Sequence, residues 1–168
     1  MNLPNKLTVG RMLAVPFFIV ALMLGHYYIS AVIFVIAALT DMLDGYIARK
    51  YGLVTDFGKI MDPLADKLLV MSALVCLVEL GDVRAWLVIV ILAREFTVTG
   101  LRIAAAAEGV VVAADVTGKI KTVLQMIAIT ALLLHIPYAF IILWAAVIMT
   151  VVSGVEYIVK NSRFFSMR

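Results

Sequence analysis

Four carboxylates in the first half of this 168-residue chain have a spacing that can do chemistry at phosphorus. The segment reads Asp41-Met-Leu-Asp44-Gly45-Tyr-Ile-Ala48-Arg49, then eight residues, then Gly58-Lys-Ile-Met-Asp62-Pro-Leu-Ala-Asp66. Asp41 and Asp44 are three apart and share a helix face, and Asp62 and Asp66, four apart, do the same on a following helix. A short connection folds the two helices antiparallel, so all four carboxylates are expected to converge. Carboxylates at membrane depth cannot stay ionised and unpaired. Hard oxygen donors suit Mg²⁺ or Mn²⁺, and two divalent ions balance four carboxylates. A two-metal site stabilises both the attacking and the leaving oxygen of a displacement. Gly45 costs a helix roughly 0.5–1 kcal/mol, a cost explained if a bulky group must approach the backbone there. Ala48 keeps the same face open. A proton or sodium path through a small ion-coupled transporter is the competing use of such carboxylates.

The elements that must position these residues are membrane helices. Hydrophobic residues make up 65% of the chain and charged residues 15%, against about 45–50% and 25% in soluble domains. Mean hydropathy is +1.12. This excludes an ordinary cytosolic globule, a disordered chain and a disulfide-rich module, and Cys76 has no cysteine to pair with. No nucleic-acid partner is expected. One span takes about 20 residues, so the pattern predicts an all-α membrane fold of six helices, a single domain over 1–168. The spans are predicted near 8–25, 29–48, 64–80, 85–107, 116–135 and 138–159, with a polar connection over 49–63. The first apolar stretch contains Pro16 and lacks a clear small-residue cleavage site, so it reads as a span rather than a cleaved signal.

Charge placement supports the same count. With six spans both termini lie on one side, and 13 of the 14 lysines and arginines fall at or near it, Arg84 being the exception. The positive-inside rule makes that side the cytoplasm.

The pattern D-x2-D-G-x2-A-R-x8-G-x3-D-x3-D is matched at every defined position by Asp41, Asp44, Gly45, Ala48, Arg49, Gly58, Asp62 and Asp66. It resembles the signature of the CDP-alcohol phosphatidyltransferases. The resemblance implies a six-helix membrane enzyme, usually a homodimer, that passes a phosphatidyl group from CDP-diacylglycerol to an alcohol and releases CMP. It implies that Asp41, Asp44 and Asp62 hold two divalent ions. Asp66 would act as general base and also touch a metal. Asp41, Gly45, Ala48, Arg49 and Gly58 would hold the CDP-diacylglycerol. An aspartate-rich prenyltransferase would leave the glycines and the Ala-Arg pair unexplained.

The acceptor must be read from other residues. The opening Asn2-Leu-Pro4-Asn5-Lys6-Leu7-Thr8-Val-Gly-Arg11, the segments Arg94-Glu95-Phe96 and Gly100-Leu101-Arg102, and Gly118-Lys119-Ile120-Lys121-Thr122 resemble the bacterial branch of the family that uses glycerol 3-phosphate. Thr8, Arg11, Arg94, Arg102 and one or both of Lys119 and Lys121 are therefore candidates for the acceptor phosphate, which needs charge-assisted hydrogen bonds. Glu95 is expected to pair with one of the arginines. Lys119 and Lys121 point to different faces of their helix. Inositol phosphate, serine and phosphatidylglycerol remain alternative acceptors. The expected location is the bacterial cytoplasmic membrane, with the active site facing the cytoplasm.

Overall fold

The structure, a computed structural model, describes residues 3–50, 56–107 and 116–160, with side chains described outside 3–5, 41–50, 56–60, 62, 63, 106 and 107. These residues form six α-helices and no strand: α1 (Leu3–Met23), α2 (Tyr27–Lys50), α3 (Asp56–Glu79), α4 (Ala85–Ala107), α5 (Val116–Leu133) and α6 (Ala139–Lys160). The number and order of helices match the sequence pattern. The boundaries differ most between α2 and α3. The 49–63 segment was expected to be a polar connection between spans, yet α2 continues to Lys50 and α3 begins at Asp56, so Pro63 lies inside a helix. Polarity was the misleading signal. A run of charged residues next to a proline reads as a loop, whereas membrane helices tolerate interior proline, as Pro16 of α1 also shows.

Local chemistry ends three of the helices in the same way. At the end of α1 the His26 N–H donates to Ala21 O and the Gly25 N–H to Leu22 O, with Gly25 at φ 81°. This is the glycine-terminated Schellman arrangement, which satisfies carbonyls that the helix leaves open. Gly81 repeats it after α3 at φ 83°. After α5 the left-handed position is taken by His135, at φ 51°. The side chain there has a partner, since His135 packs edge-on against Tyr27 with ring centroids 4.5 Å apart.

The chain divides into two compact units. The first is Met1–Asp82 with Ile129–Ile136. In it α1 packs on α2 and α3, and α2 on α3. Its core stripe runs through Val15, Phe18 and Leu22 of α1, Phe34 of α2, and Leu69, Ala73, Leu74 and Leu77 of α3, at the three- and four-residue intervals of one helix face. Phe18 and Phe34 meet at 6.0 Å between ring centroids. Ala37, Ala38, Ala65 and Ala73 are buried too. Small residues suit a bilayer, where helices associate through close packing because lipid is as apolar as leucine.

The second unit is Val83–Ala128 with Pro137–Arg168. Contacts fix its helix directions. Trp86 meets Trp144 at 5.4 Å, Arg94 bonds Ser153, and Arg102 stacks over Tyr157, so α4 and α6 run parallel. Lys121 bonds Glu95 and Gln125 bonds Thr150, which sets the first part of α5 antiparallel to both. Consecutive helices that alternate in direction are what successive membrane crossings require.

Polarity is inverted relative to a water-soluble domain. Phe17, Ile29, Ile89, Phe96, Ile103, Ile141 and Val159 are exposed, whereas Thr8, Arg11, Glu95, Lys121, Gln125, Thr150 and Ser153 are buried. By length and composition, Lys6–Met23, Val116–Leu133 and Ala139–Lys160 are long and apolar enough to cross a membrane among the described residues, and Tyr27–Thr40 is a shorter apolar stretch. Six such spans were expected. Of the other three helices, α4 carries Arg94, Glu95 and Arg102 along its length, and the described parts of α2 and α3 are shorter than a full span.

Candidate active site

Two constellations were expected: the aspartate motif lies in the first unit, and the acceptor set is divided, with Thr8 and Arg11 in the first unit and Arg94, Arg102, Lys119 and Lys121 in the second. In the first unit, Asp41, Asp44, Gly45, Ala48 and Arg49 lie in the last part of α2, and Gly58, Asp62 and Asp66 in the first half of α3. The helical backbone puts each aspartate pair on one face of its helix, and α2 packs on α3. The side chains of Asp41, Asp44, Gly45, Ala48, Arg49, Gly58 and Asp62 lie outside the described residues. Asp66 and its neighbour Lys67 are half-buried, and both are engaged in polar interactions. Among the described residues no three histidine, cysteine or acidic side chains come together as a metal site; three of the four aspartates fall outside that set. As a donor set, four carboxylates on two adjoining helix ends fit a hard divalent cation.

The same unit contains a cavity of about 320 Å³ between α1 and α2. Lys6, Gly10 and Arg11 line it on one helix, and Ile33, Ala37 and Thr40 on the other. It is largely apolar and reaches Thr40, the residue before Asp41. Thr8 is fully buried and Arg11 is 3% exposed. A buried arginine in the third turn of a membrane helix does not snorkel to water, so Arg11 faces inward as expected. Lys6 is exposed, as an interfacial lysine would be.

In the second unit the structure brings Arg94 and Lys121 together on one carboxylate. Glu95 accepts from the Arg94 guanidinium at 3.3 Å and from the Lys121 ammonium, and all three side chains are at least 87% buried. Burying charge without compensation costs several kcal/mol. Here a single buried anion lies between two cations, which lowers that cost and leaves one positive charge over. Arg102, two turns along the same face of α4, sits 5.3 Å from the centroid of the buried Tyr157 ring, within the range of a cation–π contact. The Nε atoms of Arg94 and Arg102 are buried and have no hydrogen-bond partner among the described residues. Lys121 is 4% exposed, and Lys119, two residues earlier, is exposed. The two lysines thus take different faces, and Lys121 is the inward one.

The α6 side of this cluster carries no residue from the sequence motifs. Arg94 Nη2 donates to Ser153 Oγ at 2.8 Å, and Ser153 Oγ donates on to Thr150 O at 3.1 Å. Thr150 donates to Ala146 O at 2.6 Å and accepts from Gln125 Nε2 at 3.1 Å. A polar thread therefore runs through helices that are otherwise apolar. The signal that could have found these residues is their type. Gln125, Thr150 and Ser153 sit in runs of apolar residues, and a polar group in lipid must have a partner.

The first unit thus carries spaced aspartates on two helix ends, and the second carries an inward cluster of cations held on a buried carboxylate. Residues 1–152 match the family model described as CDP-alcohol phosphatidyltransferase. The chain belongs to the CDP-alcohol phosphatidyltransferase family. It is 48% identical to a protein of Bacillus subtilis named CDP-diacylglycerol–glycerol-3-phosphate 3-phosphatidyltransferase, with 95% of each chain covered. A protein of the same name from Rickettsia bellii is 42% identical, covering 98% of this chain and 97% of its own. A probable phosphatidylglycerophosphate synthase of Mycobacterium tuberculosis is 41% identical, covering 96% and 82%.

Proposed function

We propose that this protein transfers the phosphatidyl group of CDP-diacylglycerol to sn-glycerol 3-phosphate, giving phosphatidylglycerophosphate and CMP. The names of the similar bacterial proteins support both substrates. The observation that carries the acceptor is the charge balance of the second unit. Arg94, Arg102 and Lys121 face inward and Glu95 is the carboxylate among them. The surplus of two positive charges matches a phosphate close to its dianionic form. Free glycerol has no charge to set against such a surplus, and serine, a zwitterion, leaves it unbalanced. The buried Nε donors of Arg94 and Arg102 supply geometry as well as charge.

In this reading Asp41, Asp44, Asp62 and Asp66 hold two divalent ions, Mg²⁺ or Mn²⁺, which when bound neutralise charge at the transferring phosphoryl group. Gly45, Ala48, Arg49 and Gly58, with Asp41, hold the cytidine diphosphate. The apolar cavity beside Thr40 suits the acyl part of the donor. Thr8, Arg11, Arg94, Arg102 and Lys121 hold the acceptor, with Lys121 preferred to Lys119 because it is the buried one. Asp66 takes the proton from a glycerol hydroxyl. That oxygen bonds to the phosphorus attached to diacylglycerol, the bond from this phosphorus to the CMP oxygen breaks, and CMP leaves. The test is purified protein with CDP-diacylglycerol, Mg²⁺ and a panel of alcohols, with CMP release as readout. Release with glycerol 3-phosphate alone is expected. Preference for inositol phosphate or serine would move the chain to another branch, and transport of an ion without CMP release would remove it from transferases.

The same reading makes all six helices membrane spans of a homodimer in the bacterial cytoplasmic membrane, with both termini and the segment between α2 and α3 in the cytoplasm. Its support is the distribution of 13 of 14 cations to one side and the alternating directions of α4, α5 and α6. A cysteine placed at Arg49 or Lys59 in a Cys76→Ser background should react with an impermeant thiol reagent only after cells are opened. Labelling of intact cells contradicts this topology. Cross-linking in native membranes that traps only monomers contradicts the dimer.

A further inference from the structure

Arg94 does not stand on its own helix alone. Its guanidinium is pinned at one edge by Glu95 at 3.3 Å and at another by Ser153 Oγ at 2.8 Å. Its aliphatic stem lies directly on the backbone of α6 at Gly154. A Cβ built on Gly154 would stand 2.9 Å from Arg94 Cγ, 3.8 Å from Nε and 3.9 Å from Cδ. A carbon–carbon approach of 2.9 Å is inside van der Waals contact, for which about 3.5–4.0 Å is optimal. On the α5 side, a Cβ on Gly118 would sit 3.7 Å from Arg94 Nη2, an ordinary contact that closes the space without a clash. The arginine therefore runs through a slot between two glycines, with a serine hydroxyl and a carboxylate at its end. Gly154 is inside α6, buried and with ordinary helical φ. Glycine there is not needed for backbone conformation and costs roughly 0.5–1 kcal/mol relative to alanine. The space over it is what the residue type provides.

We propose that Gly154 and Ser153 of α6 are positioning residues for the acceptor site. Gly154 opens the slot that the Arg94 stem occupies, and Ser153 fixes the rotation of its guanidinium so that the remaining donors face the acceptor phosphate. The inference rests on the reading of Arg94 as an acceptor ligand and extends that site to a helix outside the family signature. Because the clash falls on the root of the side chain, the arginine cannot relieve it by swinging its far end, which is held at both edges. The whole side chain must shift by about half an ångström or more. Misplacements of about 1 Å cost up to a hundredfold in well-built sites, so roughly a tenfold loss is expected, about 1.4 kcal/mol.

The test is a double-mutant cycle on the purified full chain, with apparent KM measured separately for glycerol 3-phosphate and CDP-diacylglycerol. Gly154→Ala should raise KM for glycerol 3-phosphate roughly tenfold and leave that for CDP-diacylglycerol within about twofold. Ser153→Ala, which removes one hydrogen bond from Arg94 and adds no bulk, should act in the same direction by roughly three- to tenfold, less than the roughly 10–150-fold of a charge-assisted ligand bond lost outright because Arg94 itself remains. It keeps the proposal testable if Gly154→Ala fails to fold. In an Arg94→Gln background neither substitution should raise KM further. Equal loss for both substrates, or an undiminished further loss in the Arg94→Gln background, overturns the positioning role. An Arg94→Gln variant with unchanged KM for glycerol 3-phosphate overturns the acceptor assignment itself, a different result.

Discussion

The two units hold their chemistry in opposite ways. In the first, the functional residues lie close together in sequence. Eight defined positions between Asp41 and Asp66 fall on the adjoining ends of two consecutive helices, so spacing alone places each aspartate pair on a face. In the second, the functional cluster is assembled across three helices. Arg94 and Glu95 come from α4, Lys121 from α5 and Ser153 from α6, with Arg94 and Ser153 59 positions apart in the sequence. Local constellations are written in sequence as motifs. Assembled ones are written only as residue types that do not belong in lipid, and their partners become visible when the helices pack. In the proposed reading the aspartate motif of the first unit carries the chemistry, and the cation cluster of the second selects the acceptor together with Thr8 and Arg11.

The largest effect should come from breaking the local constellation. Asp66→Asn keeps the shape of the side chain and removes the proton acceptor. General-base catalysis is worth about 10²–10⁴-fold, so turnover measured by CMP release should fall at least a hundredfold while the variant still extracts as folded membrane protein. Near-normal release would remove Asp66 from the proposed mechanism.

The assembled constellation should break first in stability. Glu95→Gln leaves Arg94 and Lys121 buried without their shared anion. Removing one member of a buried ion pair costs about 3–5 kcal/mol, and the low end is expected because Arg94 keeps its bond to Ser153. Thermal unfolding in detergent measures it. An unchanged midpoint would mean that the pair is solvated in solution and that Glu95 contributes nothing to the cluster.

How much was legible follows from this contrast. Six helices, the end of the first span at Gly25, the shared face of Arg94 and Arg102, and the pairing of Glu95 with one of the arginines could all be read from hydropathy, glycine placement, charge and helical spacing. The start of α3 at Asp56 could not, because Lys59, Asp62 and Pro63 imitate a loop. Gly154 could not, because no local pattern in an apolar helix marks which small residue faces an arginine on α4, and the polar type of Ser153 marks that it needs a partner without saying which. The interior choice between Lys119 and Lys121 was open for the same reason. Two residues apart on a helix fixes that they diverge, and packing decides which one enters.

The division of labour between the two units sharpens into a substrate split. Losing one charge-assisted bond costs about 1.5–3 kcal/mol, or roughly 10–150-fold in affinity. Arg94→Gln and Arg102→Gln should raise the apparent KM for glycerol 3-phosphate by that factor and leave the KM for CDP-diacylglycerol nearly unchanged. Arg49→Gln, in the aspartate motif, should do the reverse. Uniform loss of both substrates in all three variants would mean that the two constellations do not divide the substrates between them.

The smallest effect is the most discriminating, because it separates two lysines of one motif. Lys121 is buried on Glu95, whereas Lys119 is exposed on another face of α5. A lysine held inside a site contributes a charge-assisted bond, and one at the membrane edge contributes only an interfacial contact. Lys121→Gln should therefore raise the KM for glycerol 3-phosphate at least tenfold, with a stability loss smaller than that of Glu95→Gln, since Glu95 keeps Arg94. Lys119→Gln removes an exposed charge, for which about 0.5 kcal/mol or less is usual, so its KM for the same substrate should stay within about twofold. Net charge changes equally in the two variants, so any long-range attraction of the anionic acceptor to a positive surface cancels between them. Similar losses in both would show that the lysines act through that general attraction. A loss in Lys119→Gln alone would show that α5 turns its other face to the acceptor during turnover.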